Sequence, residues 1–235
     1  MRAERRPGFT LVEVVIALLA CALLGGLALR GYAAVASANR RLGRTSDELW
    51  ALRAIRWGLR EELAAGVAGR DWSAHPPDSI RLRAFRSTAL VCAAGADSSV
   101  VVIRYGGRRP DPSKDSVLVL DASGGWSAAG LDGVAQAGCP AGVHGGRPSG
   151  AAVERWRLSE AATGPVLVRL YERGSYHLTG RALRYRRGGG GRQPLTAEVL
   201  DGARLVDTLG WLRVSVPRVG RPPLDLSLVP TAPVR

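Results

Sequence analysis

The chain has 235 residues, 46% of them hydrophobic and 23% charged, with a formal net charge of +13. Its length and apolar content suit one or two domains with a real core and exclude a wholly disordered chain. Lys114 is the only lysine, so the excess is arginine; such a charge suits nucleic acid or anionic lipid, but the arginines are scattered among strand-like segments, as a coding bias would scatter them.

The first segment is apolar. From Phe9 to Leu29 the only charged residue is Glu13, and the run ends at Arg30. About 20 apolar residues span a bilayer as a helix. Arg2, Arg5 and Arg6 precede the run, offset only by Glu4. A basic flank of this kind stays in the cytoplasm and sends the C-terminal bulk outside. A secretory signal peptide would end at Ala36 or Ala38, but its apolar region is about 7–15 residues and this one is longer. A twin-arginine signal is excluded by Pro7-Gly8 and by the late position of Phe9. A plain membrane anchor explains the length and leaves Glu13 unexplained, because a charged residue at the centre of a membrane helix costs about 2.5–3.5 kcal/mol.

The stretch RRPGFTLVEVVIALL resembles the leader of type IV pilins and of the pseudopilins of type II secretion systems. The family pattern is a short basic leader, a glycine, a phenylalanine, and a glutamate at the fifth mature position; here these are Arg5-Arg6, Gly8, Phe9 and Glu13. The resemblance implies cleavage between Gly8 and Phe9 by prepilin peptidase, N-methylation of Phe9, and assembly through Glu13. It implies other pilin or pseudopilin subunits and an inner-membrane assembly platform as partners. It further implies a single-pass protein of the bacterial inner membrane, with its N-terminus in the cytoplasm and its bulk in the periplasm, entering a fibre after assembly. A carboxylate paired with the new Phe9 ammonium of a neighbouring subunit costs less than one left alone.

Helical periodicity continues past Arg30. Tyr32, Val35, Leu42, Leu49, Leu52, Ile55, Leu59 and Leu63 recur at spacings of three, four or seven, and charged residues fill most other positions. This predicts an amphipathic helix ending near Gly66 and Gly69. Gly25-Gly26 is a close helix–helix contact, a point where the helix loosens, or a pair of merely tolerated glycines. Trp50 and Trp57, seven apart, share one face and are expected in core packing.

From about Asp78 short alternating runs predict antiparallel strands: 79–85, 89–92, 99–105, 116–121, 153–158, 166–172, 176–187 and 211–216, with 224–229 as an edge. ERGS (172–175) reads as a hairpin turn, 122–151 as a long loop, and the proline-rich tail as frayed. The order YHLTGRALRYRR, QPLTAEVLDGARLVD, WLRVSV resembles the second half of larger minor pilins and J-type minor pseudopilins. The expectation is an α+β fold. It comprises a leader (1–8), the transmembrane part of a long N-terminal helix (9–29), its amphipathic part (30–66), and a globular domain (67–235) whose antiparallel sheet packs on that helix.

Chemistry-bearing residues are sparse. Cys92 and Cys139 either form a disulfide, if the domain is extracytoplasmic, or remain two buried thiols; no CxxC occurs. His75, His144 and His177 have no metal-ligand spacing. Asp111 and Asp115, in RRPDPSKDS, read as a solvated loop without EF-hand spacing. Trp126 is the best candidate for an exposed aromatic. The expectation is a non-catalytic structural subunit with no cofactor and no metal. Two other readings remain. One is a DNA-binding minor pilin, which needs an exposed stripe of Arg81, Arg83, Arg86, Arg104, Arg108 and Arg109. The other is a membrane-anchored exported domain, whose enzyme form needs converging polar groups in a pocket.

Overall fold

The structure is a computed structural model that describes residues 10–95, 97–140, 151–208, 211–218 and 220–230. Its elements are α1 (Leu11–Ala64), β1 (Trp72–His75), β2 (Ser79–Ala94), β3 (Ser99–Arg104), β4 (Asp115–Asp121), β5 (Trp126–Gln136) and β6 (Ala152–Leu158). These are followed by β7 (Pro165–Thr179), β8 (Ala182–Arg187), β9 (Arg192–Pro194), β10 (Arg204–Thr208), β11 (Trp211–Arg218) and β12 (Arg221–Pro230). The expected α+β composition, a long apolar N-terminal helix and a large antiparallel β domain, is present. The chain divides between Leu49 and Trp50, so α1 contributes to two units.

In the first unit, Leu11 to Leu49 is helical and no side chain is buried. Leu18, Leu23, Leu24, Leu27 and Leu29 are each 65% or more exposed. A lone helix in water is held by little beyond its own hydrogen bonds. This one is long and apolar enough to cross a membrane. Burying such an apolar surface away from water is favourable. A Cβ added at Gly25 or Gly26 would meet nothing within 4 Å, so no contact among the described residues requires either glycine.

The second unit is built on two long strands, β2 of 16 residues and β7 of 15. The later part of β2 pairs with β3, β3 with β6, β6 with β5, β5 with β4, β4 with the first part of β7, and β7 with β2, all antiparallel. The six strands therefore close into a ring, which removes its open edges. Val100, Val102, Val117, Val119, Trp156, Leu158, Val168 and Leu170 fill its interior. The remaining parts of β2 and β7 leave the ring and form a sheet with β1, β8 and β9. One face of that sheet, through Ile80, Leu82, Ala84, Tyr176 and Leu178, packs on Leu52, Ile55, Leu59 and Leu63 of α1. Leu212, Val214 and Val216 of the small sheet β10-β11-β12 join the same core. Of the stripe predicted from Tyr32 to Leu63, Leu52, Ile55, Leu59 and Leu63 are buried, whereas Tyr32, Val35, Leu42 and Leu49 are exposed.

Several expectations need correction. ERGS is not a turn: residues 172–175 lie inside β7, and the hairpin to β8 turns at Gly180 and Arg181, both at positive φ (61° and 63°). This two-residue connection splits 176–187 into two strands. Segments 79–85 and 89–92 are one strand, with Arg86 bulged out of register between Phe85 and Ser87. The presumed loop 122–151 contains β5, which is held on both edges by β4 and β6 despite its Gly and Ala content. The tail is not frayed over 221–230, where β12 pairs with β11; prolines are tolerated there because β12 is an edge strand. His75 belongs to β1 rather than to a linker.

Candidate assembly site

The head of α1 carries the one polar constellation in its apolar segment. The backbone N–H of Thr10 donates to Glu13 Oε2 at 2.9 Å, and the Thr10 hydroxyl donates to the same oxygen at 3.0 Å. In return the Glu13 N–H donates to Thr10 Oγ1 at 3.3 Å. This is a capping box: two N–H groups at the helix start, which have no intrahelical acceptor, are satisfied reciprocally. The signal was legible as T-x-x-E directly before an apolar run, and the sequence reading passed over it. Both bonds fall on Oε2, leaving Oε1 without a partner among the described residues. Gly8, Phe9 and the rest of the leader lie outside the described residues.

In the second unit one cluster of charged groups, around Glu172, lies between the two apolar cores. Alternate residues of a strand share a face. On β7, Val168 and Leu170 point into the ring, Tyr176 and Leu178 into the helix-side core, and Glu172 lies between them on the same face. Arg86 donates to Glu172 Oε1 (2.7 Å) and to Glu62 Oε1 of α1 (2.5 Å). Tyr185 donates to Glu172 (2.7 Å), and Tyr176 donates to Glu62 (2.8 Å). Arg108 bridges Glu172 Oε2 at 3.0 Å and both oxygens of Asp115.

The charges support one another. Burial alone would lower the Arg86 guanidinium, but Glu62 and Glu172 outweigh it and raise it. Burial would raise the Glu172 carboxyl, but Tyr185 and Arg86 hold it below its ordinary value. Burial, with Glu62 or Glu172 beside them, raises Tyr176 and Tyr185, so both phenols stay protonated as donors. Gly174 makes room for this arrangement, because a Cβ there would lie 2.7 Å from Tyr185 Cζ. The cluster is a lock between α1 and the sheet within this unit. The sequence reading missed Glu62, Glu172 and Tyr185. The available signal was a glutamate at the inward-facing position of an otherwise apolar alternation on β7.

Other residues singled out from the sequence fall as follows. Cys92 and Cys139 are joined as a disulfide with an S–S distance of 2.03 Å, and Cys21 is free. Asp115 is not in a solvated loop: it is buried and committed to Arg108 and to the Asp111 N–H. Asp111 is held by Lys114 at 2.9 Å. His75 and His177 each contact a serine two residues earlier, Ser73 at 3.1 Å and Ser175 at 2.9 Å; His144 lies outside the described residues. Among the described residues no cluster of three or more His, Cys, Asp and Glu could hold a metal. Trp126 is 41% exposed. Trp50 and Trp57 are not in the core but 64% and 70% exposed; at 100° per residue they lie about 165° around the helix from the Leu52–Leu63 stripe.

Four of the six arginines named for a basic stripe are tied to carboxylates. Arg83 pairs with Asp71, Arg86 with Glu62 and Glu172, Arg104 with Glu154, and Arg108 with Asp115 and Glu172. Comparison with protein families, with curated proteins and with solved structures yields no match to this chain.

Proposed function

We propose that this protein is a structural minor subunit of a type IV pilin-like fibre, a type II secretion pseudopilus or a type IV pilus. It is cut between Gly8 and Phe9 by prepilin peptidase and held in the bacterial inner membrane by the first part of α1. One observation carries the reading: the sequence Gly8-Phe9-Thr10-Leu11-Val12-Glu13 heads a membrane-length helix whose apolar side chains find no burial within their own chain. A subunit destined for a bundle of such helices needs this surface. The free Oε1 of Glu13 is then available to the Phe9 ammonium of a neighbour while Oε2 caps its own helix. The amphipathic continuation of α1 and the antiparallel β domain, placed in the periplasm, suit a subunit that helps prime assembly near the tip. The disulfide suits the same oxidising compartment.

Coexpression with prepilin peptidase tests this. The parent chain and Glu13→Gln should both lose residues 1–8, and Gly8→Val should keep them. Glu13→Gln should then fail to co-purify with fibre subunits. A Gly8→Val chain processed like the parent would contradict the reading.

A further inference from the structure

The face of the β1-β2-β7-β8-β9 sheet turned away from the helix-side core has no part in the assembly reading. Strand register sets out its side chains in rows. One row runs Ser73, Arg81, Ser175, Arg186, Arg192 across five strands. The next pairs Arg83 with Arg173, and on the other side lie Ser79, His177 and Arg184. The rows carry guanidinium, hydroxyl and imidazole groups and no leucine, isoleucine or valine. A cleft of about 460 Å³ opens on this face, lined by Arg70, Arg81, Arg83, Arg173 and Arg186 with Asp71 as its one acid.

The charges on this face are unbalanced. Asp71 is taken by Arg70 and Arg83, and Glu198 by Arg184. Arg186 donates to the Gly189 and Gly190 carbonyls rather than to a carboxylate. Among the described residues Arg81, Arg173, Arg186 and Arg192 have no carboxylate within ion-pair distance. Guanidinium groups keep their charge at any physiological pH, so a bound anion would relieve the repulsion among them.

We propose that this face is a binding site for a compact ligand carrying two or more linked phosphate groups. A carboxylate offers two oxygens, whereas a terminal phosphate offers three and each linked phosphate adds at least two more, and arginine forks match them bidentately. Strands lie about 4.8 Å apart, so Arg81 and Arg186, two strands apart, stand about 10 Å from each other at the backbone. Long side chains converging from both sides reach adjacent phosphates of one small molecule. Ser175 lies between them, its hydroxyl 2.9 Å from His177 Nε2. His177 reports on the site: burial, then Arg192, Arg186 and Arg81, hold its pKa below the ordinary value against the opposing pull of Asp78. A bound anion should raise it.

The inference is independent of leader processing and stands or falls on its own test. The full chain in nonionic detergent is titrated calorimetrically with inorganic tripolyphosphate. The expected result is saturable binding that weakens with added salt, falls at least tenfold in Arg81→Gln/Arg173→Gln, and is unchanged in Arg157→Gln, an exposed arginine of β6. The His177 proton resonance, assigned through His177→Gln, should titrate at higher pH once tripolyphosphate is bound. Glycerol 3-phosphate, the chemistry of a lipid headgroup, should bind at least tenfold more weakly; equal affinity would overturn the need for linked phosphates. A single-stranded oligodeoxynucleotide binding tenfold more tightly than tripolyphosphate would assign the face to nucleic acid instead. Equal loss in Arg157→Gln, or no heat and an unmoved His177 resonance in the parent, would overturn the site.

Discussion

Within α1, the segment Leu11–Leu29 and the segment Ala51–Leu63 treat their apolar side chains in opposite ways. In the first, every leucine is 60% or more exposed. In the second, Leu52, Ile55, Leu59 and Leu63 are buried against β strands, at 8% exposure or less. Their carboxylates differ in the same sense. Glu13 bonds only within its own helix turn, whereas Glu62 is tied to Arg86 and Tyr176 from distant strands. One helix thus contains a stretch whose stability depends on surroundings outside the chain and a stretch that belongs to a folded unit. Substitutions in the second should unfold that unit; substitutions in the first should not.

The largest effect expected is loss of the disulfide. Cys92 and Cys139 are 47 residues apart, and a loop of that length contributes about 4 kcal/mol in the chain-entropy model. Cys92→Ser/Cys139→Ser should therefore lower the denaturation midpoint of the full chain in detergent, whereas Cys21→Ser should leave it unchanged. Next comes Glu172→Ala, which leaves Arg86 with Glu62 alone and Arg108 with Asp115 alone beside the two cores. Removing one partner of such a network costs about 3 kcal/mol, and chemical denaturation should show it, with the Leu18→Ala control at the parent value.

A smaller loss, about 1–3 kcal/mol, is expected from Gly174→Ala, because the new methyl displaces Tyr185 from Glu172; Tyr185→Phe should lose part of the same energy and leave little further for Gly174→Ala to remove. Acid acts on the same cluster. The folded pKa of Glu172 lies below its ordinary 4.5, so the stability it contributes is full above about that pH and is lost as pH falls through the lower folded value. Thermal midpoints of the parent should drop over that window, and those of Glu172→Gln should drop less.

The sequence made some of this visible and hid the rest for definite reasons. The buried stripe of α1 followed from a 3.6-residue period, and most strands from alternation. Gly174 misled: a glycine flanked by Arg and Ser imitates a turn, yet here it clears space for a tyrosine. β5 hid because Gly and Ala carry little strand propensity, and its neighbours β4 and β6 impose the extended form. Ring closure depends on β2 meeting β7 about 80 residues later, and no local pattern encodes that pairing. Trp50 and Trp57 were misplaced because shared spacing fixes a common face without saying which face. At the head of α1, Glu13 was read as an assembly residue, and its cap with Thr10 shows a second demand on the same carboxylate.

The most direct measurement is the intact mass and N-terminal sequence of the membrane-extracted protein, made with and without prepilin peptidase. A chain that begins at N-methylated Phe9 only when the peptidase is present is the expected result, and it would make the exposed leucines of α1 a surface for neighbouring subunits. A chain beginning after Ala36 or Ala38, or one that stays whole in both strains, would contradict it and leave the first part of α1 as a signal or a simple anchor.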